Sequence, residues 1–208
     1  MRHSRMYIVG IGLLGIIFAA GCASKGEPIQ LKIPIVSGAG EKVVTKHAAT
    51  VAIQPFEDHR TDRSHLGTRS HLWGGESHFS LPNGTLGEAT AQAFADYLTG
   101  KGWNVTVAKD HGAGGADMTI TGTLVDVGVD AKSGIGQTTI TAKNRIVVHV
   151  QNHTDGSQVR ETLTSAGTNQ VFWFDQEDAQ SLLNELYNKN FEKFVMDTKL
   201  EGTILKLR

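Results

Sequence analysis

The apolar positions of this chain follow two alternating periods, and each stretch predicts its own element. Residues 48–53 form a short apolar run stopped by Gln54-Pro55, which reads as a buried strand because proline cannot donate to a sheet ladder. Leu86, Ala89, Ala93, Phe94, Tyr97 and Leu98 recur at helical spacing. Thr85 and Glu88 form a capping box before them, and Gly100-Lys101-Gly102 ends the helix. Residues 103–107 alternate as a strand. In 118–129 the apolar side moves from even to odd numbers, which predicts a bulge near 122–125. After a turn over 132–136, Ile140, Ala142, Ile146, Val148 and Val150 share one face of a strand. Thr139, Thr141, Lys143, Arg145 and His149 share the other. Asp155-Gly156 marks a hairpin, and residues 158–170 return as its second arm. Asp175 and Asp178 cap a second helix, with Phe174 set to staple against Ala179. Its stripe is Ala179, Leu182, Leu183, Leu186, Tyr187, Phe191, Phe194 and Val195, and residues 203–208 follow as a tail. Paired strands with one wet side, together with two amphipathic helices, predict an α+β fold. The expected arrangement is a two-layer sandwich with two helices packed on one face of a mixed, mainly antiparallel sheet.

Two stretches break the pattern. Residues 23–46 read as a flexible tether, with one alternating fragment, Ile29-Gln30-Leu31-Lys32-Ile33, that makes a short strand. Gly38-Ala39-Gly40-Glu41-Lys42 lacks the spacing of a phosphate loop, and the glycines of 111–117 do not open a helix as a dinucleotide site requires. Residues 57–84 read as a long loop carrying four of the nine histidines, and loops of that length inside a compact domain usually have a function.

At the amino end, Arg2 and Arg5 precede an apolar run from Ile8 to Ala20, too short to cross a bilayer, which then meets small residues and the single cysteine. Ala19-Ala20-Gly21-Cys22 resembles the lipobox of bacterial lipoproteins, with Ala19 standing where that family prefers leucine. The resemblance implies cleavage after Gly21 and acylation of Cys22 with diacylglycerol and an N-acyl chain, the only prosthetic group expected. Two or more chains anchor a protein stably. Ala23 and Ser24, where an aspartate would signal inner-membrane retention, imply an outer-membrane protein facing the periplasm. The expected organisation is a signal peptide over 1–21, a lipidated tether over 22–46, and one domain over 47–208.

Charge and chemistry narrow the function. The net charge of −1 becomes −3 once Arg2 and Arg5 leave, with no basic stripe to hold nucleic acid. A lone cysteine offers no disulfide, so the core must supply the stability. His59, His65, His71 and His78 are spaced unlike any zinc framework, and solvated loop histidines are the simpler reading of them. No G-x-S-x-G motif is present, and Asp58 and Asp62 alternate with Arg60 and Arg63 as local charge pairs, so an enzyme is not expected. Phe172-Trp173-Phe174 precedes a helix cap and is expected in the core, whereas Trp73 and Arg69 favour an interface.

The stretch Val51-Ala52-Ile53-Gln54-Pro55-Phe56-Glu57-Asp58-His59-Arg60, followed by Leu66-Gly67-Thr68-Arg69, resembles the Gram-negative YajG-type lipoproteins, with their Asp-x-Arg and Gly-x-Arg elements. The layout also resembles the small α/β domains of curli-assembly and TolB amino-terminal type. No catalytic residues come with either resemblance. The implied role is a non-enzymatic envelope accessory or assembly component, docking an envelope protein or glycan through Asp58, Arg60, Arg63, Arg69 and Trp73. The alternatives are a periplasmic carrier of a lipid or small apolar ligand, and a metal protein built on the four loop histidines.

Overall fold

The computed structural model describes residues 26–33, 47–108 and 115–208. Cys22, the lipobox and the Gly38-Ala39-Gly40 stretch lie outside them. In chain order the elements are β1 (Ile29–Gln30), β2 (Thr50–Ile53), β3 (Glu57–Asp58), β4 (Gly67–Ser70), β5 (Glu76–Ser80), α1 (Leu86–Gly100) and β6 (Asn104–Val107). They continue with β7 (Met118–Gly134), β8 (Gln137–Asn152), β9 (Gln158–Val171), α2 (Gln176–Asp197), β10 (Thr198–Glu201) and β11 (Ile204–Leu207).

β7 and β8 form a long antiparallel hairpin that acts as the spine, with β9 antiparallel on the far side of β8. The other edge of β7 is shared by three short parallel partners in succession: β2 at Met118–Ile120, β3 at Thr123–Leu124, and β4 at Ala131–Lys132. β6 extends the sheet beyond β2, and β5 and then β1 extend it beyond β4. The ladder shifts between Leu124 and Asp126, so Val125 is the extra residue that the change of apolar parity requires.

Ile140, Ala142, Ile146, Val148 and Val150 are buried on one face of β8. The helices lie side by side and fill the layer with rings: Phe94 meets Phe191 at 4.5 Å and Phe194 at 5.1 Å, and Tyr187 meets Phe191 at 5.7 Å. The Tyr187 hydroxyl shares a 3.0 Å hydrogen bond with Thr90, and complete burial pushes its pKa above the ordinary tyrosine value. Lys193 pins α2 to β9 through Glu161 at 2.6 Å.

Both helices start as the sequence predicts, with capping boxes at Thr85/Glu88 and Asp175/Asp178. Thr85→Ala removes the acceptor for the Glu88 amide and is expected to cost about 1 kcal/mol in a urea titration, with an unchanged m-value.

Four expectations are corrected. The architecture is α+β with two helices and a mixed sheet, but nine of the described strands share that sheet and its split edge departs from a plain two-layer sandwich. The long loop over 57–84 is instead β3 and the β4–β5 hairpin; its residues are mostly polar, with Leu66 and Phe79 the buried apolar exceptions, so backbone pairing rather than apolar period defines it. Part of the tether belongs to the core: Leu31 is fully buried, and Gln180 brackets Lys32 by bonding both its amide and its carbonyl. The tail forms a two-stranded sheet with β10, tied down where the buried Asn152 side chain bonds Leu205 N and O at 2.9 and 3.0 Å.

Candidate functional site

Between β3 and β4 the chain leaves the edge of β7, and residues 59–66 fold over the bulge. A groove of about 370 Å³ results, walled by Arg60, Thr61, Asp62 and His65 on one side and by Asp126, Asp130, Lys143 and Arg145 on the other. Its floor is built by Arg60. The guanidinium is buried, with Nε and Nη2 each donating at 2.9 Å to the Asp58 carboxylate. Nη1 donates to the carbonyls of His65 and Val127 at 2.9 and 3.2 Å, so one side chain ties the returning segment to the sheet at the bulge. Partial burial pushes the Asp58 pKa up. The hydrogen bonds from Arg60 and the charges of Arg60 and Arg63 outweigh it and hold the carboxyl below its ordinary value.

The rim is more open. Asp62 accepts from Ser64 N and Oγ at 2.9 and 2.6 Å, and these bonds keep its carboxyl ionised to lower pH. Asp130 accepts from Thr68 N at 2.9 Å where β4 begins. Lys143 pairs with Asp126 at 2.9 Å, both half-exposed. Arg145, opposite Asp126 in the ladder, is exposed, and its guanidinium makes no ion pair or hydrogen bond among the described residues.

The five residues named from the sequence therefore separate. Arg60 alone of them lines the groove, turned inward with all its bonds to the protein itself; Asp58 and Arg63 line a neighbouring cleft with Ser64 and Leu81, Arg63 reaching Asp58 O at 3.4 Å. Arg69 and Trp73 belong to the β4–β5 hairpin. The Arg69 guanidinium sits 4.0 Å over the Phe174 ring; burial lowers its pKa and leaves its Nε without a hydrogen-bond partner. Trp73 is almost wholly exposed in the turn.

The histidines are likewise dispersed. His59 pairs with Glu57 at 3.0 Å, His71 Nε2 meets Ser77 Oγ at 2.8 Å, and His65 stacks on His78 at 4.5 Å. Among the described residues no three histidine, cysteine or acidic side chains are placed to hold a metal ion. The Phe172-Trp173-Phe174 expectation is corrected in two of its three residues. Phe174 packs on Phe79 at 6.1 Å, but Phe172 and Trp173 are exposed.

Sequence reasoning missed Asp126, Asp130, Lys143 and Arg145. The alternation of β8 had already placed Lys143 and Arg145 on its wet side. What the pattern lacked was any sign that residues 59–66 fold back beside them.

The fold and groove define an α+β domain whose antiparallel hairpin spine carries a polar cleft at its bulge. Among solved structures, it is similar to a Xanthomonas campestris protein of the DUF330 family model, with TM-score 0.50, 10% identity, and coverage of 81% of this chain and 90% of that one. This likeness shows a shared fold. Other similar structures are a neuraminyllactose-binding hemagglutinin homolog from Helicobacter pylori (TM-score 0.43, 10% identity, 81% and 91% covered) and the lipoprotein GNA1162 from Neisseria meningitidis (TM-score 0.38, 13% identity, 71% and 99% covered). No family model and no curated protein matches the chain.

Proposed function

We propose that the protein is an outer-membrane lipoprotein, acylated on Cys22 and facing the periplasm, that works without catalysis as a docking module. In this reading a carboxylate-bearing segment of an envelope protein lies in the groove and pairs with Arg145. The observation that carries it is the unpaired Arg145 guanidinium at the mouth of a polar cleft whose other charged groups already have partners. Planar guanidinium groups bind carboxylates through two parallel hydrogen bonds.

Three further observations support a docking role. No helix among the described residues is long and apolar enough to cross a membrane. The layer between helices and sheet is packed with the fully buried rings of Phe94, Phe191, Phe194 and Tyr187. Among the described residues the one serine–histidine hydrogen bond, His71 with Ser77, lies beneath the incoming chain: a Cβ on Gly26 would fall 2.1 Å from Ser77 Oγ.

Photo-crosslinking in intact cells tests the reading. A crosslinker at Thr61, in the groove, is expected to capture one discrete envelope protein, and one at Gln92, on the exposed side of α1, is expected to capture none. Arg145→Glu should reduce the Thr61 capture at least tenfold, by setting a carboxylate against a carboxylate. Capture that ignores this substitution would overturn the groove assignment. Loss of labelled palmitate in Cys22→Ser, with loss of membrane association, checks the anchor separately.

A further inference from the structure

Five of the seven exposed large apolar side chains among the described residues gather at one end of the molecule; Met196 and Leu207 lie elsewhere. Trp73 is 93% exposed, Ile135 91%, Trp173 79% and Phe172 66%, with Leu72 beside them in sequence at 40%. The strand register puts all five at the same end of the sheet. Leu72 and Trp73 lie in the turn that closes β4 on β5, where Ser70 pairs with Glu76. That end of β4 runs alongside β7 at Lys132, just before the turn that holds Ile135. β9 ends at Val171 opposite Thr138, the second residue of β8, and Phe172 and Trp173 follow, their rings edge to face at 5.0 Å. Three neighbouring strand ends thus present aromatic and aliphatic side chains to solvent, an arrangement that marks a protein or membrane contact.

The path of the chain decides which. β1 runs parallel to β5 and away from this end, and before it Gly26 N donates to Glu76 O at 2.9 Å. Glu76 is the first residue of β5, next to the Trp73 turn. The described chain therefore begins at the apolar end, with Cys22 four residues upstream of Gly26. Four residues span at most about 14 Å. An acylated Cys22 holds this end of the molecule within that distance of the lipid. Tryptophan suits that depth, because its amphipathic ring concentrates at the bilayer–water boundary, and Leu72, Ile135 and Phe172 add apolar surface beside it. The flanking charges are mixed, Lys132 against Glu76 and Asp175, so the contact is apolar and needs no anionic lipid.

We propose that Leu72, Trp73, Ile135, Phe172 and Trp173 form a second membrane contact that inserts into the bilayer interface beside the acyl anchor and fixes the orientation of the domain. The inference rests on acylation of Cys22, and the experiment separates the two. The acylated protein is mixed with phosphatidylcholine vesicles whose chains are brominated near the headgroup, and flotation and tryptophan quenching are both measured. Flotation reports the anchor; quenching reports the tip, since Trp103 is buried in the core and silent. The expected result is flotation with strong quenching, unchanged when anionic lipid is added. Ile135→Asp combined with Phe172→Asp keeps all three tryptophans and alters only exposed positions, so the melting temperature should hold while quenching falls at least threefold.

Failure to float would overturn the anchor and with it this proposal. Flotation without quenching would overturn the tip contact alone and leave that surface to a protein occupant. Self-association that shields the tryptophans from the brominated lipid would do the same in favour of a second copy.

Discussion

Arg60→Ala is expected to destabilise the domain by about 3 kcal/mol, because breaking a buried ion pair strands its other member. The substitution leaves the Asp58 carboxylate partly buried without its counter-ion, and the carbonyls of His65 and Val127 without a donor. For a chain of this length the melting temperature should fall by roughly 6 to 12 °C. The pH dependence carries the same signature. The Asp58 carboxyl is held below its unfolded value, so its contribution is fully present above the unfolded pKa near 3.8 and is lost as pH falls through the lower folded value. The wild-type protein should lose stability over that acid range, and the Arg60→Ala variant should lose less, since part of the effect is already gone. Arg60→Lys should not restore stability, as an ammonium cannot span the carboxylate and two carbonyls at once. A melting temperature within a degree of wild type would return Arg60 to the list of free surface contacts.

Gly67→Ala is the second large effect, at about 4 kcal/mol. Gly67 has φ +143°, and an added Cβ would lie 1.9 Å from the backbone oxygen of Val129. Backbone strain and overpacking each cost on the order of 1 to 3 kcal/mol. Neither side can yield easily, because Leu66 N is bonded to Phe79 O at 2.7 Å and Val129 N to Leu66 O at 2.9 Å. Hydrogen exchange should show residues 67–80 losing protection before the β7–β8 spine does. Gly74→Ala is the control: φ is also positive there, but open space surrounds the position, so only the conformational cost of about 1 kcal/mol remains. Equal losses at the two glycines would show that the close approach to Val129 is not what matters.

Both helices, the β7 bulge and the β8–β9 hairpin were legible because each is written in local terms: a capping box, a change of apolar parity, an Asp-Gly turn. The β4–β5 hairpin was not. Its strands are short and polar, and their partners are the backbones of β7 and of each other, which leaves no period in the side chains. Likewise the Ile29–Ile33 fragment showed its alternation but not its depth, which α2 supplies from about 150 residues away. At the site, Asp58 and Arg60 were correctly seen as a charge pair, yet sequence spacing cannot say whether such a pair points into water or inward. Trp73 was read as an interface residue, and its ring is exposed. Phe172 and Trp173 were read as core from their place before a helix cap, but only Phe174 is near enough to the cap to turn inward.

The position of β2 governs how the molecule comes into being. Its Val51, Ala52 and Ile53 are buried between β6 and β7, and neither neighbour exists until residues 104–107 and 118–120 have been delivered. A polypeptide threaded amino end first, whether from a ribosome or through a translocation pore, must keep that apolar segment wet for the whole interval. Closing parallel pairs over such separations is slow and invites aggregation. Closure of the sheet around β2 is thus timed by residues 104–120 rather than by β2 itself.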